Sequence, residues 1–330
     1  MGLLINGQWD TEATMIPIAA GRFEREPAAF RQWVTADGSS GFKAEPGRYH
    51  LYVAYHCPWA WRTILYRKLK HLEAVISMTV AIPNDRRQGW IFGDYSGCTP
   101  DTVNGFTHLH QAYTRARADY TGTVSVPVLW DRVTGTIVNN ESPEIIRMLN
   151  SAFDACAEGS MDFYPSGLRD EIDRINDRVY RGLNNGVYRV GLAKTQEAYD
   201  EAHLALFETF DWLEDLLNRR RYLAGNRITE ADWRCLPSLL RFDLVYHGLF
   251  KCNQRTIASY PNLSNYLREL YQWPGVADTV NFEHFVRGYY SIPVLNPSGI
   301  IPPVPKHYAQ SLGESHDRGR LPSGPLAEVP

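Results

Sequence analysis

One cysteine lies where its sulfur can serve as a nucleophile. Cys57 follows residues 49–55, which are rich in β-forming side chains, and Pro58 comes directly after it. A helix that begins at this point directs its free N–H groups and the positive end of its dipole at the sulfur, which favours the thiolate. Pro58 suits the first helical position, where a backbone N–H has no partner inside the helix. We interpret Cys57 as a reactive thiol; the alternative is a buried structural cysteine.

The thiol has no second cysteine beside it. The third residue after Cys57 is Ala60, so the sequence lacks the local pair of a Cys-x-x-Cys redox motif. A single thiol that forms a mixed disulfide must be released by a thiol from outside the protein. The sequence therefore predicts monothiol chemistry.

Two further segments carry residues that suit ligand binding. Pro127 interrupts the apolar residues 124–130, where a proline removes a backbone donor and a cis bond would turn a backbone edge toward a ligand. Glu141 and Ser142 precede Pro143 at a predicted helix start. A helix N-terminus binds carboxylates and a glutamate pairs with an ammonium, although simple capping is the alternative.

The elements around these residues form a small α/β unit. The patterns predict a strand over 49–55, a helix over 60–72 and a strand over 74–82, with the two strands parallel. In the helix, apolar and basic residues are predicted on opposite sides: Ile64, Leu65 and Leu69 on one, Arg62, Arg67, Lys68 and Lys70 on the other. A strand over 124–130, containing Pro127, a hairpin partner over 136–138 and a helix over 144–150 complete the unit.

The rest of the chain divides into four parts. Residues 1–48 are predicted to be an irregular arm, and residues 83–120 a long insertion in the α/β unit with a short helix over 108–118. From Tyr164 the periodicity is helical, and Thr229 with Asp232 predicts a capping box. The predicted domains are therefore 49–150 and 160–302, followed by a loosely held tail over 303–330.

Composition limits the function classes. The 330 residues are too many for one small domain, and 34 Lys and Arg against 37 Asp and Glu give no basic excess for nucleic acid or an anionic membrane. Five cysteines are odd in number and sparse, which favours a reducing compartment. With no targeting segment and no apolar run of about 20 residues, the prediction is a cytoplasmic protein without a membrane span.

Metal and nucleotide sites are not predicted. Cys98, Cys156, Cys235 and Cys252 show no metal-ligand spacing with the histidines. The sequence has no glycine-rich phosphate loop and no serine nucleophile elbow.

The order of these motifs resembles the thioredoxin-fold glutathione transferases, and more closely the glutathionyl-hydroquinone reductases, or xi class. In the α/β half the matching segments are Arg48-Tyr49-His50-Leu51-Tyr52-Val53, Cys57-Pro58-Trp59-Ala60, Gly89-Trp90-Ile91-Phe92, Val126-Pro127-Val128-Leu129-Trp130-Asp131 and Ile137-Val138-Asn139-Asn140-Glu141-Ser142. In the helical half they are Asn184-Asn185-Gly186-Val187-Tyr188, Arg241-Phe242-Asp243, Phe250-Lys251-Cys252-Asn253 and Asn296-Pro297. The resemblance implies a thioredoxin-like N-terminal domain and an all-α C-terminal domain.

The resemblance also implies a role for each matching site residue. Cys57 would be the nucleophile, and Val126, before a cis Pro127, would bond the cysteinyl backbone of glutathione. The γ-glutamyl end would be held by Glu141 and Ser142, with Trp90 packed on glutathione from the insertion. The hydroquinone would contact three tyrosines, of which the first two are candidates for supplying a proton: Tyr188, Tyr289 and Tyr246.

The implied reaction is glutathione-dependent reduction of glutathionyl-hydroquinones by a homodimer. Two alternatives stay open: an omega-like thiol transferase or dehydroascorbate reductase, and a non-catalytic interaction module with the same fold. Two positions depart from the family pattern, Trp61 where histidine is frequent and Thr123 where arginine is frequent. Thr123 removes a cationic contact to glutathione, so the affinity for the thiol donor, and its identity, are left open.

Overall fold

Short strands open the chain, and the longer ones form the sheet around Cys57. The computed structural model describes residues 2–13, 17–84, 87–157 and 161–324. Within these residues the strands are β1 (Leu3–Ile5), β2 (Gln8–Asp10), β3 (Ile18–Ala19), β4 (Arg22–Phe23), β5 (Val34–Thr35), β6 (Phe42–Lys43), β7 (Tyr49–Val53), β8 (Ser77–Val80), β9 (Val128–Asp131) and β10 (Thr136–Asn139).

A mixed sheet has the order β10-β9-β7-β8. Strands β7 and β8 are parallel and joined by helix α1 (Pro58–Leu69), which confirms the predicted β-α-β unit. Strand β9 is antiparallel to β7 and forms a hairpin with β10. The sequence predicted Pro127 inside this strand, but it lies just before β9. The sheet therefore loses no backbone donor to the proline.

The prediction that the basic residues of α1 share a polar side is wrong for two of them. Arg62 and Lys70 are each only 1% exposed. Arg62 Nη1 donates to Ser142 Oγ at 3.4 Å, and Lys70 Nζ lies 3.0 Å from Asp154 Oδ1. Both partners come from helix α3 (Ser142–Ser151) or the turn after it, and a buried charge is tolerated when it is paired. Helix α1 is therefore covered on a second side.

The predicted irregular arm contains regular pairings. Strands β1 and β2 form a hairpin whose turn is Asn6-Gly7, with positive φ angles of 48° and 76°. Asn-Gly between two short strands is a strong hairpin motif, because both turn residues adopt left-handed backbone easily. Strands β3 and β4 pair across a similar turn, and β5 pairs with β6 in parallel.

The remaining helices lie mostly in the second half of the chain. They are α2 (His110–Ala116), α4 (Arg169–Val179), α5 (Gly186–Gly191), α6 (Gln196–Arg219), α7 (Glu230–Arg241), α8 (His247–Leu249), α9 (Pro261–Tyr271), α10 (Phe282–Tyr290) and α11 (Tyr308–Leu312). Two π-helical turns, Tyr180–Asn184 and Phe242–Tyr246, interrupt the α-helical backbone. The predicted capping box of Thr229 and Asp232 is present at the start of α7.

Two units compose the structure, and neither is continuous in sequence. The first contains Met1–Ile16, Glu26–Ser160 and Thr279–Pro293, and holds the mixed sheet. The second contains Pro17–Arg25, Met161–Asp278 and Val294–Pro330, and is mainly helical. The domain limits given above from the sequence stay predictions. None of the helices in the described residues is both long and apolar enough to cross a membrane.

The prediction of a loosely held tail is wrong for the part that the structure describes. Arg318 is fully buried and donates to the carbonyl oxygens of Leu217, Arg220 and Arg221 at 2.6–2.7 Å. These carbonyls lie at the end of α6, where helix carbonyls lack partners inside the helix. The side chain therefore caps α6 and fixes the tail. The predicted tail's last six residues, 325–330, lie outside the described residues.

Candidate active site

The cysteine lies at the junction between β7 and α1. Its backbone is extended, with φ −74° and ψ 117°, and its N–H donates to the Ala54 carbonyl at 3.2 Å, which closes a turn over residues 54–57. Its carbonyl accepts the first helical hydrogen bond, from Trp61 N at 2.9 Å. Pro58 occupies the start of the helix as predicted. The turn and the helix together fix the thiol at the positive end of α1.

The thiol lies next to the Val126–Pro127 segment, which the sequence analysis singled out for ligand binding. Cys57 is 8% exposed, and its Sγ lies 3.7 Å from the carbonyl oxygen of Val126. The peptide bond between Val126 and Pro127 is cis, as predicted. The backbone edge before Pro127 is thus next to the sulfur, where it is placed to bind an extended peptide-like ligand.

The start of α3 is tied to α1 one turn beyond the thiol. Ser142 is 2% exposed and accepts from Arg62, whose guanidinium lies 4.7 Å from the Trp59 ring centre. Glu141 precedes the helix and is half-buried, and its N–H donates to Asn139 Oδ1 at 2.7 Å. A helix N-terminus and a carboxylate side by side suit a ligand that carries both an acid and an amine.

Trp90 is held firmly in the insertion. Its Nε1 donates to the Val124 carbonyl at 3.1 Å, and its own carbonyl accepts from Leu109 N at 2.9 Å. The N-terminal hairpin supports the residues just before it: Trp9 Nε1 donates to Arg87 O at 3.2 Å, and the Trp9 ring stacks on His110 at 5.0 Å. The arm therefore fixes the segment that carries Trp90.

Tyr289 belongs to the first unit together with Cys57. It lies in α10, is 3% exposed and meets the His56 ring edge-on, with centroids 6.4 Å apart. The segment that carries it is anchored by Trp61, whose Nε1 donates to Thr279 O at 2.7 Å. Trp61, which stands where the family frequently has histidine, therefore anchors the segment that precedes α10.

Tyr188 and Tyr246 belong to the second unit. Their ring centroids are 6.1 Å apart, Tyr246 is fully buried and Tyr188 is half-buried. Each lies in or just after a π-helical turn, a feature that is frequent at functional sites. The Arg25 guanidinium lies over the Tyr188 ring, 4.9 Å from its centre.

Three of the other cysteines have surroundings that disfavour ionisation of the thiol. Burial raises the pKa of Cys98 to about 12, and its thiol donates to Ala81 O at 3.5 Å. Burial also raises the pKa of Cys252 and Cys156. In the described ranges, His, Cys, Asp and Glu do not form a group of three or more that could hold a metal ion.

Comparison with known proteins identifies the family of the chain. The family model of the glutathione S-transferase N-terminal domain matches residues 56–152, and that of the C-terminal domain matches residues 196–269. A solved structure, the xi-class glutathione transferase of Natrialba magadii, superposes with a TM-score of 0.91 at 44% identity over 98% of each chain. The chain belongs to the xi-class glutathione transferases.

Two relatives of this xi-class transferase have named activities. This chain is 50% identical over 306 residues to the glutathionyl-hydroquinone reductase PcpF of Sphingobium chlorophenolicum, and the match covers 92% of this chain and 96% of that protein. It is 48% identical over 331 residues to the glutathionyl-hydroquinone reductase YqjG of Escherichia coli K12, covering 96% and 98%. The glutathione-bound structure of YqjG superposes with a TM-score of 0.86 at 45% identity, over 96% of this chain and 99% of that one.

In this xi-class transferase the first unit contains seven of the residues predicted for the site, Glu141 included, while Tyr188 and Tyr246 belong to the second unit. The Cys57 sulfur lies beside the Val126 carbonyl, Arg62 of α1 donates to Ser142, and Trp90 and Tyr289 each contact the same neighbouring ring. That neighbour, His56, was missed by the sequence analysis, as were Trp9 and Arg25. For His56 the one available indication was its place beside the nucleophile.

Proposed function

We propose that this protein reduces glutathionyl-hydroquinones to hydroquinones with glutathione as the co-substrate. The observation that carries the proposal is the monothiol Cys57 beside the Val126–Pro127 backbone, in a chain 50% identical to a protein named for this reaction. The glutathione-bound relative YqjG supports glutathione as the ligand of the first unit.

The proposed reaction has two steps, a displacement at the thioether sulfur and a thiol–disulfide exchange. The Cys57 thiolate attacks the sulfur of the glutathionyl thioether, so that the carbon–sulfur bond breaks and a Cys57–glutathione disulfide forms. The ring carbon that leaves with the electron pair takes a proton, which Tyr289 or Tyr188 donates. The thiolate of a second glutathione attacks the mixed disulfide, releasing oxidised glutathione and the Cys57 thiolate.

The proposed ligand contacts are those that membership of the family implies. Val126 bonds the cysteinyl backbone of glutathione, while Glu141 and Ser142 hold the γ-glutamyl end and Trp90 packs on the tripeptide. Tyr188, Tyr246 and Tyr289 contact the hydroquinone. We also propose that the protein acts in the cytoplasm, which the sparse cysteines support, and that it is a homodimer, as the family resemblance implies.

Mass spectrometry after addition of a glutathionyl-hydroquinone tests the chemistry. We expect one glutathione adduct on Cys57, removed by free glutathione, and no adduct in Cys57→Ser. Cys98→Ser is the matched control, because this thiol is also buried but lies in the insertion, and it should retain the adduct and the turnover. Full turnover by Cys57→Ser contradicts the mechanism, and turnover of dehydroascorbate or simple disulfides alone would favour the omega-like alternative.

A further inference from the structure

His56 occupies an unusual position for a polar side chain. It immediately precedes the nucleophile in the turn closed by Cys57 N and Ala54 O, and it is fully buried. Placing an imidazole out of water costs free energy unless its surroundings offset that cost. The ring is therefore packed inside the protein directly beside the thiol-bearing residue.

The imidazole joins two distant parts of the first unit. Its face stacks on the Trp90 ring, with centroids 5.3 Å apart and an interplanar angle of 28°. The Tyr289 ring meets it edge-on, at 6.4 Å and 79°. One ring next to the nucleophile thus contacts both the insertion and α10.

A glycine in α10 leaves room for this ring. A Cβ added at Gly288 would lie 2.2 Å from His56 Cγ and 2.6 Å from His56 Cβ. Glycine inside a helix is unfavourable relative to alanine, so its presence here reflects the close approach of the helix to the ring. Gly288 and His56 are therefore complementary in shape, independently of the two aromatic contacts.

We propose that His56 is a positioning residue that sets Trp90 and Tyr289 relative to Cys57. This inference rests on the proposed function, in which Trp90 contacts glutathione and Tyr289 contacts the hydroquinone. His56 acts through its planar ring and its shape, so loss of the ring alters both glutathione binding and turnover of the conjugate. Misplacement of binding groups by about 1 Å is enough to lower turnover by as much as about a hundredfold.

The first test compares two substitutions of the same ring. His56→Phe keeps a planar ring, and we expect kcat/KM for the conjugate of glutathione with unsubstituted hydroquinone to fall only about threefold. His56→Ala removes the ring, and we expect a fall of about thirtyfold together with a higher KM for glutathione. Equal losses in the two variants would overturn the proposal, because the ring nitrogens rather than the ring shape would then matter. Unaltered kinetics in His56→Ala would overturn it as well.

A second test reaches the same contact from α10. Gly288→Ala places a methyl group against the imidazole, and we expect a higher KM for glutathione and a lower kcat. In the double variant, His56→Gly removes the Cγ and Cβ atoms that the methyl would meet, so the loss should be no greater than in His56→Gly alone. Additive losses would contradict the contact. Gly288→Ala by itself stays informative even where the His56 variants are poorly stable, because it retains the imidazole.

The control keeps this inference separate from the proposed function. His307→Ala changes an exposed histidine of the second unit and should leave both constants unchanged. If the unaltered protein fails to turn over the conjugate, the proposed function is wrong. Titration calorimetry with glutathione then still compares the affinities of the His56 variants, and equal affinities of His56→Ala and the unaltered protein would overturn the role of His56.

Discussion

Trp61 Nε1 donates a hydrogen bond of 2.7 Å to the carbonyl oxygen of Thr279, 218 residues later in the chain. Both residues are buried, so the carbonyl has little access to water. The bond joins α1, which begins beside the thiol, to the segment that carries Tyr289. The position of Tyr289 near the nucleophile therefore depends in part on one indole N–H.

Loss of this indole donor should weaken the segment. In Trp61→Phe this hydrogen bond to the buried Thr279 carbonyl is lost, and we expect the free energy of unfolding to fall by about 1–3 kcal/mol. We also expect a lower kcat for the conjugate, because the segment that carries Tyr289 loses its anchor. Chemical unfolding and steady-state kinetics measure the two effects. Trp33→Phe, at a tryptophan that is 39% exposed, is the control and should change neither.

The N-terminal hairpin should influence glutathione binding through Trp9. Removal of its ring in Trp9→Ala eliminates the stack on His110 and the bond to Arg87 O beside Gly89 and Trp90. We expect the KM for glutathione to rise about fivefold. Trp9→Phe keeps a ring for the stack but has no N–H, and should give an intermediate value. A KM that is the same in all three proteins would show that the hairpin has no part in binding.

Arg25 should favour substrates whose hydroquinone is ionised. Its guanidinium lies over the Tyr188 ring, and its Nε donates to Asn185 Oδ1 at 3.2 Å. In Arg25→Gln we expect kcat/KM to fall about fivefold for a conjugate of an acidic, chlorinated hydroquinone. The conjugate of unsubstituted hydroquinone should be affected less.

A nearby arginine provides the control for Arg25. Arg22 lies three residues earlier and pairs instead with Glu201 at 2.8 Å. Arg22→Gln should leave the preference between the two conjugates unchanged. The same loss for both conjugates in Arg25→Gln would indicate a structural effect rather than a charge effect.

Stability should fall in acid because of His50. Burial lowers the pKa of this histidine from 6.5 to about 4, and its ring nitrogens lie 2.7 Å from Ser77 Oγ and 3.0 Å from Thr79 Oγ1. Since the unfolded chain binds the proton first, stability is lost as the pH falls from about 6.5 toward 4, by on the order of 3 kcal/mol for this group. Urea unfolding at several pH values should show a weaker acid dependence in His50→Gln. Identical pH profiles would refute the assignment.

Local sequence patterns were sufficient for the elements next to the thiol. The β-forming residues before Cys57 and the proline after it predict the strand, the turn and α1, because each preference acts on neighbouring residues. The Asn6-Gly7 turn was equally local, and its hairpin could have been recognised from the sequence.

Long-range contacts were harder to predict. The buried Arg62 donates to the Ser142 hydroxyl, 80 residues later, and helical periodicity contains no information on that partner. The stack of His56 on Trp90 likewise requires a known path of the insertion. The resemblance named the site residues, but only the fold identified the histidine between two of them.

The interleaving of the two units limits how the gene can be divided. Residues 279–293 return to the sheet-bearing unit after most of the helical unit has been made, and residues 17–25 join the helical unit before the sheet exists. A fragment that ends after residue 157 would lack Tyr289 and the carbonyl that Trp61 bonds. On the ribosome, the first unit therefore remains incomplete until nearly the whole chain has emerged. In a chimera that exchanges helical units between relatives, the segment with Tyr289 must stay with its own sheet.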